Sequence, residues 1–147
     1  MISNISIDFA KFQDLSSLIS TLQSASWNFA NNVVKYSYYQ GIDDQSDNEF
    51  TGTISNWPSI ETLLTEKLRR GYNVSVELED DRNVGWLQIV LIDETITRLK
   101  ISFFAPLKRI PDCWLLTDFT LYARSLVYSL YEAGYTILKV TYEDDFY

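Results

Sequence analysis

The chain has 147 residues, 46% of them hydrophobic and 15% aromatic, enough apolar mass for one sizeable core and too little length for a second domain. Twelve Lys and Arg against twenty Asp and Glu give a formal net charge of -8, a field that repels phosphate backbones and anionic headgroups and disfavours nucleic acid and membrane as partners. Histidine is absent and Cys113 is the sole cysteine, which removes imidazole bases, Ser-His-Asp and Cys-His arrangements, most zinc sites and any internal disulfide.

Residues 2 to 9 alternate, with Ile5, Ile7 and Phe9 on one side and Ser6 and Asp8 on the other, the period of a half-buried strand. From Lys11 to Ser26 the spacing changes to threes and fours, through Phe12, Leu15, Leu18, Ile19 and Leu22, which predicts an amphipathic helix. Val33 to Tyr39 is rich in branched and aromatic residues and reads as a second strand. The polar run Asp43 to Glu49 then reads as an exposed loop. A helix starts near Asn56-Trp57-Pro58-Ser59, buries Ile60, Leu63, Leu64 and Leu68, and ends at Gly71, with Lys67, Arg69 and Arg70 complementing its dipole.

Three strand-like runs follow at about residues 72 to 79, 84 to 92 and 96 to 104, with connections short enough to force antiparallel hairpins. The middle run is nearly continuous in apolar character and is expected at the centre of the core. A long helix is predicted from near Thr117-Asp118 to Ala133, capped by Gly134, with Phe119, Tyr122, Ala123, Leu126 and Leu130 as its main stripe and Leu121, Tyr128 and Tyr131 off it. A last strand, Tyr135 to Tyr142, precedes the acidic aromatic end Glu143 to Tyr147. The order strand, helix, strand, helix, three strands, helix, strand predicts a single α+β domain: a mostly antiparallel sheet of about six strands with three helices. Gly71-Tyr72 and Gly134-Tyr135, each followed by a strand and an acidic turn, repeat one local grammar.

Little catalytic chemistry is written in this chain. The glycines at 41, 52, 71, 85 and 134 are too scattered for a phosphate-cradling loop, and no Ser stands in a nucleophile elbow. An EF-hand beginning at Asp43 would need Gly where Asn48 stands and Glu where Ile54 stands. Cys113, beside Trp114-Leu115-Leu116, reads as a buried small hydrophobe. Lys67, Arg69, Arg70, Arg98, Lys100, Lys108 and Arg109 read as solvated charges more readily than as an anion site. No cofactor or metal is expected. No export signal is visible and no apolar run is long enough to span a bilayer, so a cytoplasmic location is expected.

What remains are surfaces. Three acidic clusters are flanked by aromatics: Asp43, Asp44, Asp47 and Glu49 with Tyr38, Tyr39 and Phe50; Glu77, Glu79, Asp80 and Asp81 with Tyr72 and Trp86; and Glu143, Asp144 and Asp145 with Tyr142, Phe146 and Tyr147. Carboxylates steer a basic partner while rings supply buried area at low entropy cost, and Tyr128 and Tyr131 on the last helix add to the candidates. In size, acidity, aromatic content and missing catalytic apparatus the chain resembles the small acidic immunity proteins of bacterial toxin systems, without sharing a family motif. That resemblance implies a non-enzymatic domain that occludes the active site of a basic toxin, possible nucleases included. Two further readings stand beside it: a self-associating interaction domain using the last helix, and a carboxylate- or metal-dependent hydrolase.

Overall fold

The computed structural model describes residues 2–10, 14–40, 49–79, 84–91, 95–103, 109–110, 113–117, 119 and 123–145. Asp43, Asp44, Asp47, Asp80, Asp81 and Lys108 lie outside the described residues, as do the side chains of Trp86, Cys113 and Asp145.

The strands are β1 (Ile2–Ala10), β2 (Val33–Tyr39), β3 (Glu49–Thr53), β4 (Asn73–Glu79), β5 (Val84–Leu91), β6 (Ile96–Phe103), β7 (Arg109–Ile110), β8 (Cys113–Thr117) and β9 (Thr136–Asp145). Seven of them form one open sheet in the order β3-β2-β4-β5-β6-β1-β9, and β7 and β8 make a separate two-stranded ribbon. Every pairing in the large sheet is antiparallel. β5, the most continuously apolar run, is the central strand, as its sequence predicts.

Register carries the period-two pattern across the sheet. Ile7 lies opposite Leu99 on β6 and Val140 on β9, and Val74 lies opposite Ile89 on β5 and Tyr38 on β2. Ile5, Ile7, Phe9, Val34, Val74, Val76, Leu78, Ile89, Leu99 and Ile101 are all fully buried. Burying a side chain of this size contributes roughly 1.5–3 kcal/mol, and the pattern fixes register because a one-residue slip would turn the whole set to the other face.

Three helices supply the second layer. α1 (Leu15–Ser24) buries Leu15, Leu18, Ile19 and Leu22, and Asp14 caps it by accepting from the Ser17 backbone N–H at 2.6 Å. α2 (Trp57–Arg69) has Pro58 in its first turn and buries Ile60, Leu64 and Leu68 against β2 to β5. α3 (Tyr128–Glu132) continues from a π-helical turn, Ala123–Val127, and packs against α1 and β9 through Leu126 and Leu130. At each helix end the amide two residues past the last turn reaches back to a carbonyl five residues earlier: Trp27 to Leu22, Tyr72 to Lys67 and Tyr135 to Leu130. The residue between is left-handed each time, Ser26 (φ 73), Gly71 (φ 84) and Gly134 (φ 94). The repeated grammar around Gly71 and Gly134 is thus one helix stop used twice, and α1 uses it with serine.

Three expectations change. An additional strand, β3, precedes α2 and forms an edge, in a segment, EFTGT, whose single glycine weakened its strand signal. The long helix expected from Thr117 is shorter, since Thr117 closes β8 and helical structure is described from Ala123 onward; residues 118 and 120–122 are outside the described set. β9 runs on to Asp145, so the acidic end is strand rather than tail, paired along one side to β1.

Candidate interaction surface

Antiparallel pairing decides which end of the sheet each charge occupies. Glu79 lies opposite Val84, and the chain of partners continues from Gly85 to Phe103, Phe103 to Ser3 and Ser3 to Asp144. The carboxylates of Glu79, Glu143 and Asp144 therefore share one end of the sheet, with the backbone of Asp145. Three strands separate β4 from β9, so the two groups stand roughly 19 Å apart at the usual interstrand spacing. Glu77, two residue pairs further in, is ion-paired to Lys35 at 3.7 Å.

Cations gather toward the other end. The last turn of α2, with Lys67 and Arg69, leads through Gly71 into the start of β4. Arg98 and Lys139 flank Asp8 near the far ends of β6 and β9. Most of these are already engaged. Lys67 Nζ sits 4.7 Å from the ring centres of both Tyr38 and Tyr72. Arg70 bonds Glu66 at 2.7 Å. Arg98 donates to Asp8 from two nitrogens at 2.7 and 3.0 Å and holds that carboxyl below its usual range, while burial opposes the shift and Lys139 adds to it. Of the basic residues expected as solvated charges, Lys67, Arg70 and Arg98 are thus engaged with rings or carboxylates.

The described carboxylates of the three acidic clusters do not all converge. Glu49 opens β3, opposite Ser37, at the other edge and toward the other end of the sheet. Its neighbouring rings are packed: Phe50 stacks on Tyr36 and Tyr38 at 5.5 and 5.3 Å between centres. Tyr72 lies at the opposite end of β4 from Glu79. Asp144 accepts from the Ser3 hydroxyl at 2.6 Å, which ties β9 to β1.

Tyr128 and Tyr131 lie elsewhere, on α3, whose end leads through Gly134 into the start of β9, and Tyr131 lines one cleft with Thr136 and Ile137. They are 56% and 66% exposed on α3, and Leu138 and Tyr142 on β9 are 52% and 39% exposed. Those four are the larger part of the big apolar side chains exposed among the described residues; the others, Phe50 and Ile54, lie at the β3 edge. Glu132 accepts a hydrogen bond from the Tyr128 hydroxyl, and this bond and its charge raise the phenol above its ordinary value. Burial raises Tyr142, which packs on Phe119 at 5.0 Å. Tyr142 was expected as a ring flanking the third cluster, but Leu138 was not singled out from sequence, although adjacent Ile137 and Leu138 carry a signal: two apolar neighbours break a period of two. The sheet bulges there, with Lys139 paired to Asp8 and Ile137 to Phe9.

No family model, no curated protein and no solved structure matches this chain. The surface must be read from its own chemistry.

Two clefts adjoin it or lie across the sheet. One, about 130 Å³, is lined by Ala30, Asn31, Val33, Lys35 and Glu77; the other, about 520 Å³ and open, by Tyr131, Glu132, Gly134, Tyr135, Thr136 and Ile137. Each has one carboxylate in its lining, and in the first it is bonded to Lys35. Among the described residues no group of three or more acidic or cysteine side chains is placed to hold a metal ion, and no described helix is long and apolar enough to cross a membrane.

Proposed function

We propose that this chain is a non-enzymatic protein-binding domain that neutralises a basic protein, in the manner of an immunity protein occluding a toxin's active site, with a nuclease as the favoured kind of target. The observation that carries this reading is the separation of charge along the strands, with Glu79, Glu143 and Asp144 at one end and Lys67, Arg69, Arg98 and Lys139 away from it. In a molecule of net charge -8, such an end presents carboxylates to a cationic cleft built for phosphate, and a partner approaching it is steered before contact. Strand backbone fixes where the Glu79, Glu143 and Asp144 side chains start, and their carboxylates can take charge-assisted, two-point bonds from guanidinium groups.

The test is inhibition. The product of a basic toxin-like gene encoded beside this one is purified, and its nuclease activity is followed as this protein is added. Loss of activity at one-to-one stoichiometry supports the reading; undiminished activity with no complex on a sizing column contradicts it. The self-association reading concerns the last helix, α3, with Tyr128 and Tyr131, and not the carboxylates at the end of the sheet.

A further inference from the structure

Among the described strands β9, ten residues long, lies at an edge of the sheet and pairs with β1. Long edges that expose apolar side chains invite another strand, and proteins commonly guard them with a charged residue. Lys139, exposed on the face opposite the core, would be such a guard if it stood alone. Four residues on, Glu143 is exposed on the same face. Among the described residues neither forms an ion pair within 4.0 Å; Glu143 faces the neutral Asn4 across β1.

We infer that the occupant of this edge is a second copy of the chain, paired antiparallel to β9 about a two-fold axis through Thr141. In that register Lys139 of each copy lies opposite Glu143 of the other, giving two attractive pairs on one face. Val140 lies opposite Tyr142 on the core face, a branched residue against a ring. Regular strand overlap runs from Lys139 to Glu143, clear of the bulge at Leu138, and joins the two sheets into one of fourteen strands. The axis stands perpendicular to the sheet, so both helix layers lie on the same side. The two α3 helices, which overlie the joined edges, bring Tyr128 and Tyr131 toward the seam along with Leu138 and Tyr142, and an interface of this kind is symmetric and closed. The other free edge cannot do the same: β3 has five residues and one charge, Glu49. The dimer takes Glu143 of each copy into the seam and leaves the two Glu79 side chains outside it, toward opposite ends of the joined sheet, so its formation does not depend on the basic partner.

The experiment uses the isolated full chain and light scattering after size exclusion. The wild type should elute at twice the chain mass. Lys139→Glu or Glu143→Lys each sets two like-charge pairs face to face and should raise the dimer dissociation constant roughly tenfold or more. Mixing the two variants in equal amounts should restore the dimer, because every pair across the seam is then attractive; this control also shows that both variants are folded. A wild type at single-chain mass at all concentrations overturns the inference, as do single variants that dimerise like the wild type or a mixture that stays monomeric.

Discussion

Asp8 and Arg98 face one another across β1 and β6 on the side of the sheet away from the core, two guanidinium nitrogens on two carboxylate oxygens. The carboxylate is largely shielded, its side chain 14% exposed against 45% for Arg98. This two-point pair joins β1, the neighbour of the edge strand, to β6.

Asp8→Asn should cost about 1 kcal/mol at neutral pH, discounted from a buried charge-assisted pair because Arg98 is half in water. The folded carboxyl is held below its unfolded value, so its contribution is present above the unfolded pKa and is lost as pH falls below about 4 toward the lower folded value. Urea unfolding at neutral pH and near pH 3 measures this: the gap between wild type and variant should close on acidification. An equal gap at both would place the cost in packing.

Ser26 holds φ 73 at the end of α1 where α2 and α3 use glycine. An L side chain in that region is crowded against its own backbone, and this outweighs the extra freedom that glycine gains on unfolding. Ser26→Gly should therefore raise stability by roughly 0.5–1 kcal/mol, while Gly134→Ala should lower it by about 1 kcal/mol. Thermal melting of the pair checks both signs.

A methyl group on Gly52 would stand 2.7 Å from Ile60 Cδ1, where β3 meets α2. Gly52→Ala should cost about 1 kcal/mol from overpacking. Removing the opposing methyl with Ile60→Val should recover much of that in the double variant, a coupling that a double-mutant cycle in urea reads directly.

Much of the fold was legible because its signals are local. The alternation Ile5, Ile7, Phe9 and the stripe Leu15, Leu18, Ile19, Leu22 each state both an element and its buried face. The short connections between β4, β5 and β6 fix their antiparallel neighbours. Where β1 goes was not legible: its partners are β6 and β9, chosen by long-range packing that no local pattern encodes. The same holds for the surface. Tyr128 and Tyr131 stood off their stripe and are exposed, as their helical phase predicts. That Glu79 and Glu143 share an end, while Glu49 is sent to the other edge, depends on strand order and direction. The bulge at Leu138 turns a residue outward that a strict period of two would have placed with the opposite face from its neighbours.

The most direct test of the central claim is the rate at which this protein associates with a purified basic toxin domain, measured by stopped flow across ionic strength for wild type and Glu79→Lys. If the carboxylate end steers the encounter, the wild-type rate should fall steeply as salt shortens the screening length below about 10 Å, and Glu79→Lys should slow association at low salt without changing the melting temperature. Rates that are the same at low and high salt, and the same for both proteins, would contradict it.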